Sequence, residues 1–177
     1  MQLFLIRGLA AIAWAAAFAA VSDSLRTGVT VAAGILVVIY PLIDAAASLI
    51  DAGSQRGSAR RLLLAGAGVS GVAAAALALA ATGSVADVLA VFGVWALVSG
   101  AAQFVVALRR RAQYGNQWPM LLAGAGSVGF GIAYVVASTG ADPMLNMLAI
   151  YAAGGGIDFV VQAWLLVRRR RLAAVPA

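Results

Sequence analysis

The sequence lacks cysteine, histidine, lysine and glutamate altogether: its 12 basic residues are all arginine and its 6 acidic residues are all aspartate. Without cysteine there is no disulfide, no thiol nucleophile and no thiolate metal site. Without histidine, lysine and glutamate, most side chains that serve general acid–base catalysis or bind metals are also missing. No serine has a nearby base, and no glycine-rich loop carries a lysine to hold phosphate. We therefore expect no enzymatic activity, no cofactor and no metal site.

Charge of either sign is scarce as well. Only 10% of the 177 residues are charged and 64% are hydrophobic, whereas a soluble domain carries roughly 25% charged residues. Several apolar runs reach about 20 residues, the length that crosses a bilayer core of roughly 30 Å. This composition predicts an integral membrane protein.

Breaks between the apolar runs divide the chain into six predicted membrane helices. Each run is too long for a barrel strand and does not alternate, so we expect an all-α membrane fold. The predicted helices are Leu3–Val21, Val29–Ile50, Leu62–Ala81, Val85–Leu108, Trp118–Ser138 and Pro143–Val167.

An internal repeat runs through these helices. The hexamer LLAGAG occurs at residues 63–68 and again at residues 121–126. Gly66 and Gly124 lie within the two copies, and Gly8 precedes Gly66 by the same 58 residues that separate Gly66 from Gly124.

Aromatic residues midway along the even-numbered helices follow nearly the same period. Tyr40, Trp95 and Tyr151 are 55 and 56 residues apart. The two markers together predict six transmembrane helices arranged as three repeated helical hairpins. We expect one membrane domain over residues 1–177, with repeat units at about 1–58, 59–116 and 117–171 and a basic tail at 168–177.

Small residues four positions apart recur on the odd-numbered helices. In a bilayer such residues let neighbouring helices approach closely. We expect Gly66, Gly71, Gly129 and Gly131 to pack helices together, and the same faces suggest a homo-oligomer.

Arginine is concentrated in alternate loops, because ten of the twelve arginines fall on one side of the predicted topology and one on the other. The positive-inside rule then places both termini in the cytoplasm of a bacterial inner membrane, as a multi-pass protein. A basic balance also suggests nucleic acid, but here the topology explains it and we expect none. Anionic lipid is the expected partner of the largest arginine runs, alongside the surrounding membrane lipids. These residues are Arg109, Arg110, Arg111, Arg168, Arg169, Arg170 and Arg171.

The ionisable residues well inside the predicted spans are Arg7, Asp44 and Asp158. Such residues are costly in lipid and are candidates for function. Arg7 and Asp44 lie at similar depth on the two arms of one hairpin, which predicts an ion pair between them. The alternative is that these aspartates bind a proton or a polar ligand. Gln103 and Gln162 lie near the same end and either join helices by hydrogen bonds or line a polar vestibule.

Three segments carry a resemblance to the HdeD-like family of short bacterial membrane proteins. They are IRGLAAIAWA at residues 6–15, YPLIDAAASLIDAG at residues 40–53 and WPMLLAGAGSVGFGIAYVV at residues 118–136. The resemblance implies three helical hairpins over the whole chain and an association with acid-stress resistance. It implies no catalytic residues.

Two functions therefore stay open at the level of sequence. The first is a non-enzymatic inner-membrane protein of the HdeD-like type, with a structural or acid-stress protective role. The second is a small proton-linked channel or transporter that uses Arg7, Asp44 and Asp158.

Overall fold

A computed structural model describes residues 2–22, 28–114 and 117–173. The described residues form six α-helices and no strand, and all six helices are long and apolar enough to cross a membrane. This confirms the predicted all-α membrane class, and the protein is a multi-pass membrane protein. The helices are α1 (Gln2–Ser22), α2 (Val31–Gly53), α3 (Gly57–Ala80), α4 (Val85–Tyr114), α5 (Trp118–Ser138) and α6 (Met147–Ala173).

Four helix boundaries differ from the predicted ones by four residues or more, and two of these are the ends of α4 and α6, which lie six residues later than predicted. α3 begins five residues before Leu62, because arginine is a good helix former and the helix continues into the basic loop. α6 begins at Met147 rather than at Pro143. The backbone from Pro143 to Asn146 is irregular, so the chain enters α6 only after this segment.

Local side chains fix the starts of two helices. Thr30 Oγ1 accepts a hydrogen bond from the Ala33 amide at 3.3 Å and so caps α2. Before α4, Asp87 Oδ2 accepts from the Ser84 amide at 2.9 Å, and Ser84 Oγ accepts from the Asp87 amide at 3.2 Å. This reciprocal pair resembles a capping box and explains why the chain turns sharply into α4.

The helices form a closed ring in chain order, with α6 packed against α1. The closest pairs are α4 with α5, α2 with α3, and α1 with α6. The pairs inside the predicted hairpins, such as α3 with α4, are in looser contact. Close and loose pairs thus alternate with a period of two helices around the ring.

Aromatic side chains fill the centre of this ring. We call this group the central aromatic cluster, and its neighbouring ring centroids lie 4.6–6.2 Å apart. Five of the six helices contribute to it, and α3 has no aromatic residue to contribute. The members are Trp14, Phe18, Tyr40, Phe92, Trp95, Phe130, Tyr134 and Tyr151.

The predicted packing role is correct for one of the four glycines. A Cβ at Gly131 would lie 2.6 Å from the Leu97 amide nitrogen, so this position requires glycine for α5 to approach α4. At Gly66, Gly71 and Gly129 a Cβ would meet nothing within 4 Å, so these three glycines make no close helix contact within the chain. Alanine and glycine occur on every side of these helices, so the spacing of small residues does not show which face points inward. The homo-oligomer expected from such faces stays a prediction.

Other glycines make the close approaches that the sequence analysis did not assign. A Cβ at Gly8 would lie 2.7 Å from the Gly156 carbonyl oxygen, across the α1–α6 contact. At Gly100 it would lie 2.5 Å from the Ser127 Cβ, and at Gly124 it would lie 2.7 Å from the Phe104 amide nitrogen.

In α3 the buried residue of the repeat lies one position after the glycine that the 58-residue spacing predicts. Gly8 and Gly124 are buried against a neighbouring helix, but Gly66 is not, and Ala67 is the buried residue of the hexamer in α3. The even helices keep the period, because the equivalents Val37, Phe92 and Leu148 are all fully buried. Superposition of the three hairpins stays a prediction.

Candidate functional site

The ion pair predicted between Arg7 and Asp44 is confirmed. Arg7 Nη2 donates to Asp44 Oδ1 across the α1–α2 contact, and the two side chains are 19% and 27% exposed. The Arg7 guanidinium also lies over the Phe159 ring of α6, with its Cζ 4.7 Å from the ring centroid. Arg7 therefore neutralises a carboxylate of one neighbouring helix and makes a cation–π contact with another.

The second oxygen of Asp44 has a partner as well. Ser70 Oγ donates to Asp44 Oδ2 at 2.8 Å, and Trp95 Nε1 donates to Ser70 Oγ at 3.1 Å. The Ser70 side chain is only 1% exposed. Arg7, Asp44, Ser70 and Trp95 thus form one polar chain that joins α1, α2, α3 and α4, and we refer to it as the polar chain.

The polar chain explains what Asp44 can do chemically. Both of its oxygens accept hydrogen bonds, one of them from a guanidinium group. A buried pair that is fully hydrogen-bonded contributes mainly to a unique arrangement of helices. Removing either partner would leave an unpaired buried charge, which strongly destabilises the fold. Asp44 is therefore a junction between helices in this structure.

The sequence pattern did not assign Ser70 or Trp95 to this site, and Trp95 served there only as a marker of the repeat. Their chemistry could have suggested a role, because a hydroxyl or indole N–H inside an apolar helix commonly forms a hydrogen bond with another helix. The spacing along the chain gave no indication of which partner it would be.

Hydrogen bonds also hold Trp14, Tyr134 and Tyr151 of the central aromatic cluster. Ser127 Oγ and Tyr151 Oη lie 3.1 Å apart, and Tyr134 Oη donates to the Met147 carbonyl at 2.9 Å. Trp14 Nε1 donates to the Leu36 carbonyl at 2.6 Å. The rings are held in place by both packing and hydrogen bonds, as expected for buried tyrosine and tryptophan.

Asp158 lies apart from the polar chain. Its side chain is half-buried on α6 and makes no hydrogen bond or ion pair with the described residues. Gln162, four residues later and so on the same face of the helix, is 2% exposed. Its Oε1 has no hydrogen-bond partner within the described ranges.

Gln103 has a different environment from Gln162. Its Nε2 donates to the Met120 sulfur at 3.9 Å, across the α4–α5 contact. This is the kind of interhelical contact that the sequence suggested as one alternative. A polar vestibule shared by Gln103 and Gln162 stays a prediction.

The arginines of the alternate loops lie at one end of the bundle, which we call the arginine end. There α1, α3 and α5 begin, and α2, α4 and α6 end. The side chains of Arg110, Arg169, Arg170 and Arg171 lie outside the described residues. Exposed side chains at this end are those of Arg56, Arg60, Arg61, Arg109, Arg111 and Arg168.

Within the described part of the chain, no group of three or more aspartates lies together in a way that could hold a metal ion. The opposite end of the bundle carries exposed Asp87 and Asp142. Arginine is therefore concentrated at one end, which also carries Asp51, and the polar chain and Asp158 lie between the two ends.

Comparison with known proteins gives one partial match. A family described as a short repeat of unknown function (DUF308) matches residues 66–136. This segment includes most of α3, all of α4 and most of α5, and the match is consistent with the HdeD-like resemblance. No curated protein and no solved structure matches the chain.

Proposed function

We propose that this chain is a non-enzymatic protein of the bacterial inner membrane, of the HdeD-like type, with a structural role that protects the membrane under acid stress. The observation that carries the proposal is the central aromatic cluster, which occupies the axis where a transport pathway of a six-helix ring would run. Its packed rings and paired polar atoms are typical of a rigid core.

The polar chain supports the same conclusion. A carboxylate that shuttles protons needs at least one oxygen that a proton carrier can reach, whereas both oxygens of Asp44 are held by side chains of the protein. The acid-stress part of the proposal is supported by the resemblance in the sequence and by the matched repeat.

Two measurements test this proposal together. The full chain is reconstituted in liposomes with a trapped pH dye, and proton flux is measured after an acid jump. The same chain is expressed in bacteria that lack their own copy, and survival at low pH is counted. We expect flux equal to that of empty liposomes and improved survival. Flux above empty liposomes, or survival unchanged by expression, would contradict the proposal.

A proton-linked channel or transporter is the second candidate, and Asp158 favours it. Asp158 has no partner among the described residues, and the buried Oε1 of Gln162 on the same face is also unpaired. The two acceptors could share a water or a proton.

Matched variants separate the two candidates. In a transporter, Asp158→Asn should abolish a pH-dependent flux, while Asp142→Asn outside the membrane helices should leave it unchanged. If the wild-type chain shows no flux, or if both variants behave alike, the second candidate is wrong.

A further inference from the structure

One of the looser contacts of the ring, the contact between α3 and α4, leaves a groove. It has a volume of about 700 Å³ and is lined by alanine, glycine and valine, with Trp95 among its walls. Val72 and Val94 on its rim are 72% and 55% exposed, so the groove opens on the outside of the bundle. An open apolar groove of this kind in a membrane protein is filled by hydrocarbon.

Helical register connects the groove to two arginines. On α3, Ala65, Gly68 and Val72 line the groove, and Arg61 lies one turn before Ala65 on the same face. On α4, Val94 and Val98 line it, and Arg109 lies eleven residues, or three turns, after Val98 on that face. Both arginines are exposed.

The opposite mouth of the groove has the opposite charge. Asp87 lies one turn before Val91, a groove residue, and is exposed. An anionic group is therefore attracted to the arginine end of the groove and repelled from the other. Along α3 the groove runs from Ala65 to Ala76, about 17 Å at 1.5 Å per residue, close to the roughly 15 Å depth of one hydrocarbon leaflet.

We propose that the α3–α4 groove binds an acyl chain of an anionic phospholipid from the leaflet at the arginine end, with the lipid phosphate between Arg61 and Arg109. Basic pockets between membrane helices recognise acidic headgroups in this way. The proposal does not rest on the proposed function. It gives the lipid a defined position, in contact with Trp95 and hence with the end of the polar chain.

A second copy of the chain is a poorer occupant of the same groove. Copies inserted in one orientation would bring their arginine ends together at this contact. Arg61 and Arg109 of both copies would then repel each other, whereas a phosphate neutralises them.

Substitutions of glycine provide a matched test. A Cβ at Gly68 meets nothing within 4 Å, so Gly68→Leu fills the groove without pushing the helices apart. Gly126 occupies the same position in the second LLAGAG copy. A Cβ there would also meet nothing within 4 Å, and Gly126 does not line the groove. Gly126→Leu therefore makes the same chemical change on another face.

The binding measurement is native mass spectrometry of the detergent-solubilised full chain, titrated with phosphatidylglycerol or with phosphatidylcholine of the same acyl chains. We expect phosphatidylglycerol to bind at least about fivefold more tightly, since each nearby basic residue contributes on the order of that factor. Gly68→Leu should remove the preference and Gly126→Leu should keep it. Arg61→Gln with Arg109→Gln should also remove it, while Arg168→Gln should not.

A second measurement locates the lipid. In vesicles of phosphatidylcholine with phosphatidylglycerol brominated on its acyl chains, tryptophan fluorescence should be quenched less in Gly68→Leu than in Gly126→Leu. Equal binding of the two lipids to the wild type, or equal behaviour of the two leucine variants, would overturn the proposal. A dimer that dissociates only in Gly68→Leu would assign the groove to a second copy instead, which also overturns it.

Discussion

At Asp44, both carboxylate oxygens accept hydrogen bonds from side chains of other helices. An ionised residue inside a span is expensive unless it is neutralised and hydrogen-bonded. Arg7 supplies the charge and Ser70 supplies the second hydrogen bond, and Ser70 in turn accepts from Trp95. The contribution of each residue of the polar chain to stability therefore depends on the presence of the others.

Arg7→Ala should lower the free energy of unfolding in detergent by about 3 kcal/mol, because Asp44 is left charged and unpaired. Arg7→Ala combined with Asp44→Ala should recover part of this loss, because no stranded charge remains. A double-mutant cycle measured by chemical unfolding gives the coupling free energy. Additive losses in the cycle would show that the contact contributes nothing to stability.

Ser70→Ala should destabilise the protein by about 1–3 kcal/mol, because the buried indole N–H of Trp95 and one oxygen of Asp44 lose their partner. Ser99→Ala is the matched control. The Ser99 hydroxyl donates to the Trp95 carbonyl within its own helix at 2.7 Å, and that carbonyl is already part of the helix. Thermal unfolding of both variants should show a clearly larger loss for Ser70→Ala, and equal losses would contradict the role of Ser70.

At the scale of the helices, glycine is important where two backbones approach each other. The α4–α5 contact is built from Gly93 and Gly100 on one side and from Gly124 and Gly131 on the other. In the absence of a hydrophobic drive between helices in lipid, this close packing is what holds the pair together. The α2–α3 contact is the next most extensive and includes the hydrogen bond from Ser70 to Asp44.

Gly131→Ala should separate α4 from α5, because the added Cβ would meet the Leu97 amide nitrogen and the Gly93 carbonyl oxygen, which are backbone atoms that cannot turn away. We expect a loss of about 1–3 kcal/mol in the free energy of unfolding. Gly129→Ala, two residues away, should change it by no more than about 0.5 kcal/mol, because the site is open. Unfolding in mixed micelles compares the two, and a similar loss in both would mean that this contact does not need glycine.

For the molecule as a whole, the concentration of arginine at one end of the bundle predicts an orientation in the membrane. Arginine dominates one end, and the described opposite end carries Asp87 and Asp142. Positive loops are retained in the cytoplasm during insertion. An even number of spans then brings both termini to the same side.

We therefore expect reporter fusions at Ala177 and within residues 54–58 to read as cytoplasmic. A fusion within residues 139–142, at the opposite end, should read as periplasmic and serves as the control. Alkaline phosphatase and fluorescent protein fusions measure the two outcomes separately. A periplasmic signal from either of the first two fusions would contradict the predicted topology.

Long apolar runs, scarce charge and alternate arginine loops determined by themselves that this chain forms six membrane helices. These features depend only on the transfer of side chains into lipid, which is a local property of each segment. The pairing of Arg7 with Asp44 was also predictable, because only one cation lies inside the spans at the depth of that aspartate.

Which faces meet was decided only by the tertiary structure. Gly66 and Gly124 occupy the same position in LLAGAG, yet only Gly124 packs against a neighbour. Alanine and glycine occur on all sides of these helices, so the sequence pattern carries little information on which side faces inward. The partners of Asp44 on α3 and α4 depend on how the ring closes, and closure is set by the combined packing of all six helices rather than by any one of them.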